Sequence, residues 1–178
     1  MYFTKLTLRS VTFVADSPRL SPKHLYKIPD TTPWIVTNSD VQPFYNFKAD
    51  VLTPAPRDSG PNARSWLVFE GPIHAESTTS PITVHATASN YYHEIPLSYR
   101  LPEPQIYGQL LMHILIDSDT VSAKSNQVMG RTFVCHCSSI HIQRLFSNLL
   151  LDQYFWINGI ITNTKESFIY VEIDALIV

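Results

Sequence analysis

Alternation of apolar and polar positions is the strongest pattern in the chain. Residues 2–14 (YFTKLTLRSVTFV) alternate, but the apolar side passes from Leu6 and Leu8 to Val11 and Phe13, which predicts a strand with a bulge or bend near Arg9-Ser10. Strand patterns return at 65–70 (SWLVFE) and 82–88 (ITVHATA), separated by the turn signals Gly71-Pro72 and Ser80-Pro81. Between 17 and 61, eight prolines interrupt every short apolar run. Proline cannot donate to a central ladder, so this stretch is expected to be a long, mostly irregular excursion with at most an edge strand. Its aromatics (Tyr26, Trp34, Phe44, Tyr45 and Phe47) argue against a purely flexible linker.

Beyond a second proline cluster at 89–104 the pattern tightens. Ile106–Ile116 is almost wholly apolar and predicts a strand buried on both faces, and the polar residues 118–130 predict a loop or hairpin end. Arg131–Cys137 reads as the next strand. Ser138 and Ser139 then offer N-caps to a helix over 140–151, whose Ile142, Leu145, Phe146, Leu149 and Leu150 recur at helical spacing. Tyr154–Thr162 reads as a strand, Asn163–Glu166 as a turn, and Ser167–Val178 as a closing strand with Ile169, Val171, Ile173, Ala175 and Ile177 on one face. The sequence shows no internal repeat.

Composition narrows the classes of function. A chain of 178 residues with 44% hydrophobic and 12% aromatic residues is rich enough in apolar side chains to build a core without staples. It is expected either as two regions, 1–100 and 101–178, or as one continuous domain. Charged residues make up 16%, against an average of about 25%, leaving a polar but uncharged surface of a kind that suits partner contacts. A net charge of −2 argues against binding of nucleic acid chiefly by phosphate neutralisation. The acidity lies in residues 101–178, with four Lys/Arg against seven Asp/Glu, whereas 1–100 hold nine against eight.

Chemistry-bearing motifs are sparse. Cys135 and Cys137 lie two apart in one strand and share a face; a disulfide between them would be strained, so two buried thiols in a reducing, cytoplasmic setting are expected. Zinc is not expected, because alternation sends His136 to the opposite face and no second ligand pair exists. His93-Glu94 and the Asp117/Asp119 pair read as loop pairs. No nucleophile elbow, zinc-protease helix or phosphate loop occurs, so no catalytic residue, metal or cofactor is expected. The sequence contains neither a signal-peptide pattern nor an apolar run of membrane-spanning length.

The order strand, helix, strand with a mid-strand glycine, turn and closing strand carries a resemblance. Arg131–Cys137, Ile140–Leu151, Tyr154–Ile161 with Gly159, and Ile169–Leu176 resemble the second half of bacterial single-stranded DNA-binding proteins and of the related primosomal replication protein N. The match covers about a quarter of the chain. It implies a mainly β fold, with an OB-type β-barrel and one short amphipathic helix in the C-terminal part, preceded by a proline-rich β/irregular region. Gly159 would take the place where an OB strand bends sharply. Groove cations of that family are scarce here.

Binding of single strands needs aromatic faces with cations along the backbone. Phe133, Tyr154, Trp156 and Tyr170 are the candidate faces, and Arg131, Lys124 and Lys165 the candidate cations. Alternation places Tyr154, Trp156 and Asn158 on one side of their strand, with Phe155, Ile157 and Gly159 on the other. The resemblance implies a non-catalytic single-stranded nucleic-acid-binding protein, of the compact kind expected in a virus, phage or mobile element. The alternative is a structural or assembly subunit of a virion, tail or other complex, with protein partners or self-association through the proline-rich region. In that alternative the same rings pack against protein.

Overall fold

The computed structural model describes residues 6–14, 19–20, 25–31, 34–36, 41–43, 49–54, 64–74, 82–92, 104–116, 122–127 and 131–178. Along the chain the elements are β1 (Leu6–Val14), β2 (Arg19–Leu20), β3 (Leu25–Thr31), β4 (Trp34–Val36), β5 (Val41–Pro43), β6 (Ala49–Pro54), β7 (Ser65–His74), β8 (Ile82–His85) and β9 (Ala88–Tyr92). They continue as β10 (Gln105–Leu111), β11 (Ile114–Ile116), β12 (Ser122–Gln127), β13 (Arg131–His136), α1 (Ile140–Phe146), β14 (Tyr154–Lys165) and β15 (Phe168–Ile177). Two compact units result: Met1–Thr7 with Ala75–Ser80 and Gln105–Val178, and Leu8–His74 with Pro81–Pro104.

In the unit built around Gln105–Val178 the strand order is β11-β12-β13-β15-β14-β10. Its two ends are one run of chain, because β10 and β11 are separated only by Met112 and His113; β10 pairs with β14 and β11 with β12. The sheet therefore closes on itself. Counting β10/β11 as the first strand, the order is first-second-third-fifth-fourth-first, with the third and fifth (β13 and β15) parallel and α1 between the third and fourth. This is the path of the five-stranded OB barrel. Phe133, Cys135, Phe155, Ile157, Ile169 and Val171 fill the interior.

Several sequence expectations change on closure. Ile106–Ile116 is not one strand buried on both faces: burial alternates along β10, and the run breaks at Met112, whose backbone bonds Gln153 and Asp152 (2.7 and 2.8 Å) before the chain turns to β12. The polar stretch SAKSNQ is the strand β12 rather than a loop, held by pairing on both edges, which overrides composition. The helix is shorter than 140–151. After Phe146 the backbone tightens into three-residue bonds, Asn148 N–H to Leu145 O and Leu149 N–H to Phe146 O. Ile142, Phe146 and Leu149 are buried, while Leu145 and Leu150 are exposed. Ser139 caps by position without a side-chain bond, and the Ser138 hydroxyl donates to Glu172 instead (2.7 Å).

In β15 a register shift opposite Asn158 and Gly159 leaves Asp174 unmatched, so the inward face passes from Ile173 to Leu176 and exposes Ala175 and Ile177, which were expected inside. Gly159 lies at that shift. A Cβ there would overlap the Glu172 carbonyl oxygen and come within 2.9 Å of a Val171 methyl.

The other unit repeats the path. Its order, β1-β7-β8-β6-β3-β2, is again first-fourth-fifth-third-second-first, with β6 and β8 parallel. Its fifth strand is also broken opposite a glycine: β7 pairs with β8 at Ile73–His74 and with β9 at Trp66–Glu70, and a Cβ on Gly71 between them would overlap the His85 carbonyl oxygen. The hairpin β4–β5 lies in the connection from second to third strand. The stretch 17–61, expected to be mostly irregular, thus holds five strands among its described residues. Pro43 and Pro54 end their strands, and Pro29 falls in the register shift between Ile28 and Thr31. Here the Thr53 and Tyr91 hydroxyls bond at 2.8 Å, and burial raises the Tyr91 pKa against the lowering effect of that bond.

Candidate nucleic-acid interface

Closing the barrel sorts the outward side chains into two groups. One forms on β13 and β15. Because these strands are parallel and in register (Thr132↔Phe168, Val134↔Tyr170, His136↔Glu172), their outward residues make rows across the sheet. The His136 and Tyr170 rings lie parallel, 6.2 Å apart at 3°, and Phe168 follows at 6.5 Å and 32°. Lys165, exposed, pairs with Phe168 across the turn that joins β14 to β15. Thr132 N–H donates to Ser167 O (2.8 Å), which fixes the start of β13, and so Arg131, beside the same turn. Lys124 lies in register with Val134 through its backbone; its side chain lies outside the described atoms.

Arg131 is half-buried, one terminal guanidinium nitrogen is buried, and burial pushes its pKa down. Alternation assigns it to the same side as Phe133, at the end of the barrel. Glu172 stands in register with His136 and accepts from the Ser138 N–H (2.9 Å) and hydroxyl.

The second group lies at the other end of β14. Trp156 is 53% exposed and Tyr154 36%. Trp156 stands in register between Gln109 and Ile177, Tyr154 opposite Leu111, and Asn158 between Tyr107 and Ala175. Gln105 donates to Asn158 (2.9 Å). None of these register partners is charged. Trp156 and Asn163, the partner of Tyr170, are separated by seven positions on β14, roughly 20 Å at the rise of a strand. The seven residues predicted as one site are therefore divided.

Phe133 leaves the site altogether. It is 0% exposed, on the inward face with Cys135, and offers no ring face to a base. A strand residue next to the β15 interior (Phe133↔Ile169) points inward in this barrel, whereas aromatic type alone does not tell which way it points. His136 was missed, although the alternation that put it opposite the two thiols was already the signal. Both thiols are free and buried; burial pushes Cys135 up to about 12 and also raises Cys137. No cluster of three metal-ligating side chains occurs among the described residues. His93-Glu94 and Asp117/Asp119 lie outside the described residues. Among the described residues no helix is long and apolar enough to cross a membrane.

No family model matches the chain, and no curated protein matches it in sequence. Solved structures do. Wild-type single-stranded DNA binding protein from Thermus aquaticus superposes with a TM-score of 0.59 at 12% identity, covering 98% of this chain and 92% of that one. A deletion mutant of the same protein gives 0.59 and 12% over 98% and 93%. In fold, this chain resembles a single-stranded DNA binding protein. The likeness spans both units, whereas the motif resemblance in the sequence covered only residues 131–178.

Proposed function

We propose that this chain is a non-catalytic protein that binds single-stranded nucleic acid on the outward face of β13 and β15. The observation that carries this reading is the ring row His136–Tyr170–Phe168 with Lys165 at the adjoining turn. It lies on the third and fifth strands of an OB barrel, next to the turn from fourth to fifth strand, and OB barrels bind oligonucleotides on the face of their second and third strands and on that turn. The described rings suit stacking better than phosphate neutralisation, in keeping with the low charge. The two free, buried thiols fit a reducing, cytoplasmic setting.

Titration of labelled single strands and duplexes tests the reading. Single strands should bind in preference, because a duplex offers no free base faces, and Tyr170→Ala should weaken binding by about 1–3 kcal/mol without loss of fold. Absence of single-strand binding at low salt would overturn it.

The face around Trp156 favours a second reading, that of an assembly subunit. Trp156, Tyr154 and Ile177 are exposed without a charged register partner, a composition that suits a protein contact. Under this reading Trp156→Ala disrupts a complex and leaves oligonucleotide binding unchanged.

A further inference from the structure

We propose that a second copy of this chain pairs with the open edge of β15, joining two barrels into one continuous sheet about a twofold axis. The inference rests on the second reading above, that the Trp156 face is a protein contact, and names its partner. β13 accompanies β15 only as far as His136↔Glu172, after which the chain leaves for α1. β15 runs on to Ile177 with β14 on one side, and among the described residues no strand pairs with 173–177 on the other. The backbone N–H and C=O groups along such an edge are a template for another strand. Asp174, Ala175 and Ile177 are exposed there, while Leu176 lies on the inward face.

Natural edges are commonly blunted by lysine, proline or a bulge. The run IDALIV from 173 to 178 contains neither lysine nor proline, and its bulge, at Asp174, leaves 175–177 open beyond it. Facing residues of an antiparallel pair share a side of the sheet, and the phase of β15 changes at that bulge. The register that keeps the sides matched over the longest run therefore centres on Leu176, with Ala175 of each copy facing Ile177 of the other. Because β14 sets Trp156 beside Ile177 and Asn158 beside Ala175, the junction carries a row from Trp156 and Ile177 of one copy to Ala175 and Asn158 of the second. The exposed Trp156 and Ile177 of both copies are brought to one contact. No like charges face each other, since the two Asp174 residues stand four positions apart along the ladder, roughly 13 Å. An isologous contact of this kind selects a second copy over an unrelated strand, because one pairing satisfies the same edge twice.

Size-exclusion chromatography with light scattering on the full chain, over a range of concentrations, should give twice the 20.3 kDa of one chain. Ile177→Lys, which puts an edge-blocking charge at an exposed position, should return it to a single chain. The ladder itself is read by Ala175→Cys/Ile177→Cys: oxidised with diamide, it should give a covalent dimer on a non-reducing gel, because facing positions lie about 4.5–5.5 Å apart at Cβ. Either cysteine alone should not, since its own counterpart lies two residues along the ladder, roughly 8 Å away. The native thiols are buried, and the wild type is the control. Circular dichroism melting shows whether each variant is folded, and should Ile177→Lys fail to fold, the cysteine pair decides. A wild type of one-chain mass at every concentration would overturn self-pairing and leave the Trp156 face to another protein. A dimer lost in Trp156→Ala whose folded cysteine pair does not cross-link would keep that face as an interface and overturn the β15 ladder. A dimer indifferent to both Ile177→Lys and Trp156→Ala would overturn the ladder and the reading of the face together.

Discussion

Gly159 lies directly beneath the carbonyl oxygen of Glu172, so closely that a single methyl group cannot be placed between the fourth and fifth strands of its barrel. The nearest obstructing atom is backbone, which no rotamer change can move. Gly159→Val should therefore destabilise the protein by at least the roughly 1–3 kcal/mol of an overpacked core, seen as a lower melting temperature. Asn163→Ala, at an exposed position on the same strand, should shift stability by no more than about 0.5 kcal/mol. Equal effects of the two would mean that the strands do not cross as described.

Phe146 anchors the short helix to the barrel. Phe146→Ala should cost about 3–5 kcal/mol in denaturant unfolding, the range for a buried aromatic. Leu145→Ala, one residue earlier and exposed, should change stability by about 0.5 kcal/mol or less. A helix running to residue 151 with Leu145 inward would reverse that ranking.

Burial holds the Cys135 thiol protonated well above the pH at which it ionises in the unfolded chain, from an ordinary 9.0 to about 12. Between those values the unfolded state binds fewer protons than the native one, so stability falls as pH rises through that window and is unaffected by this group below it. Cys135→Ala should flatten that part of the stability-pH profile. In the native protein at neutral pH, Cys135 should resist thiol reagents until denaturant opens the barrel.

Trp156 separates the two faces. Being half out of the surface, its loss should leave the melting temperature nearly unchanged. If nucleic acid binds at the β13–β15 face, roughly 20 Å along the sheet, Trp156→Ala should also leave oligonucleotide affinity alone while Tyr170→Ala reduces it. Quenching of Trp156 fluorescence on titration, with loss of affinity in Trp156→Ala, would move the binding face to β10 and β14.

The sequence by itself determined which residues share a face: Ile169, Val171 and Ile173 on the last strand, Tyr154 and Trp156 opposite Phe155 and Ile157, and His136 opposite the two thiols. These follow from alternation within a single strand, which needs no knowledge of a partner. The tight place at Gly159 was legible only through the family resemblance, which puts a glycine where an OB strand bends sharply.

Tertiary structure alone decided the rest. SAKSNQ became a strand because β11 and β13 offered it two edges, and Ala175 and Ile177 faced outward because a bulge opposite Gly159 changed the phase of β15. Phe133 was taken into the core and Tyr170 left outside by the same parallel register. The second barrel was hidden for the same reason: its prolines mask the strand pattern, and its path depends on which edges meet. Pairing between distant segments is a property of register and closure, which local composition does not encode.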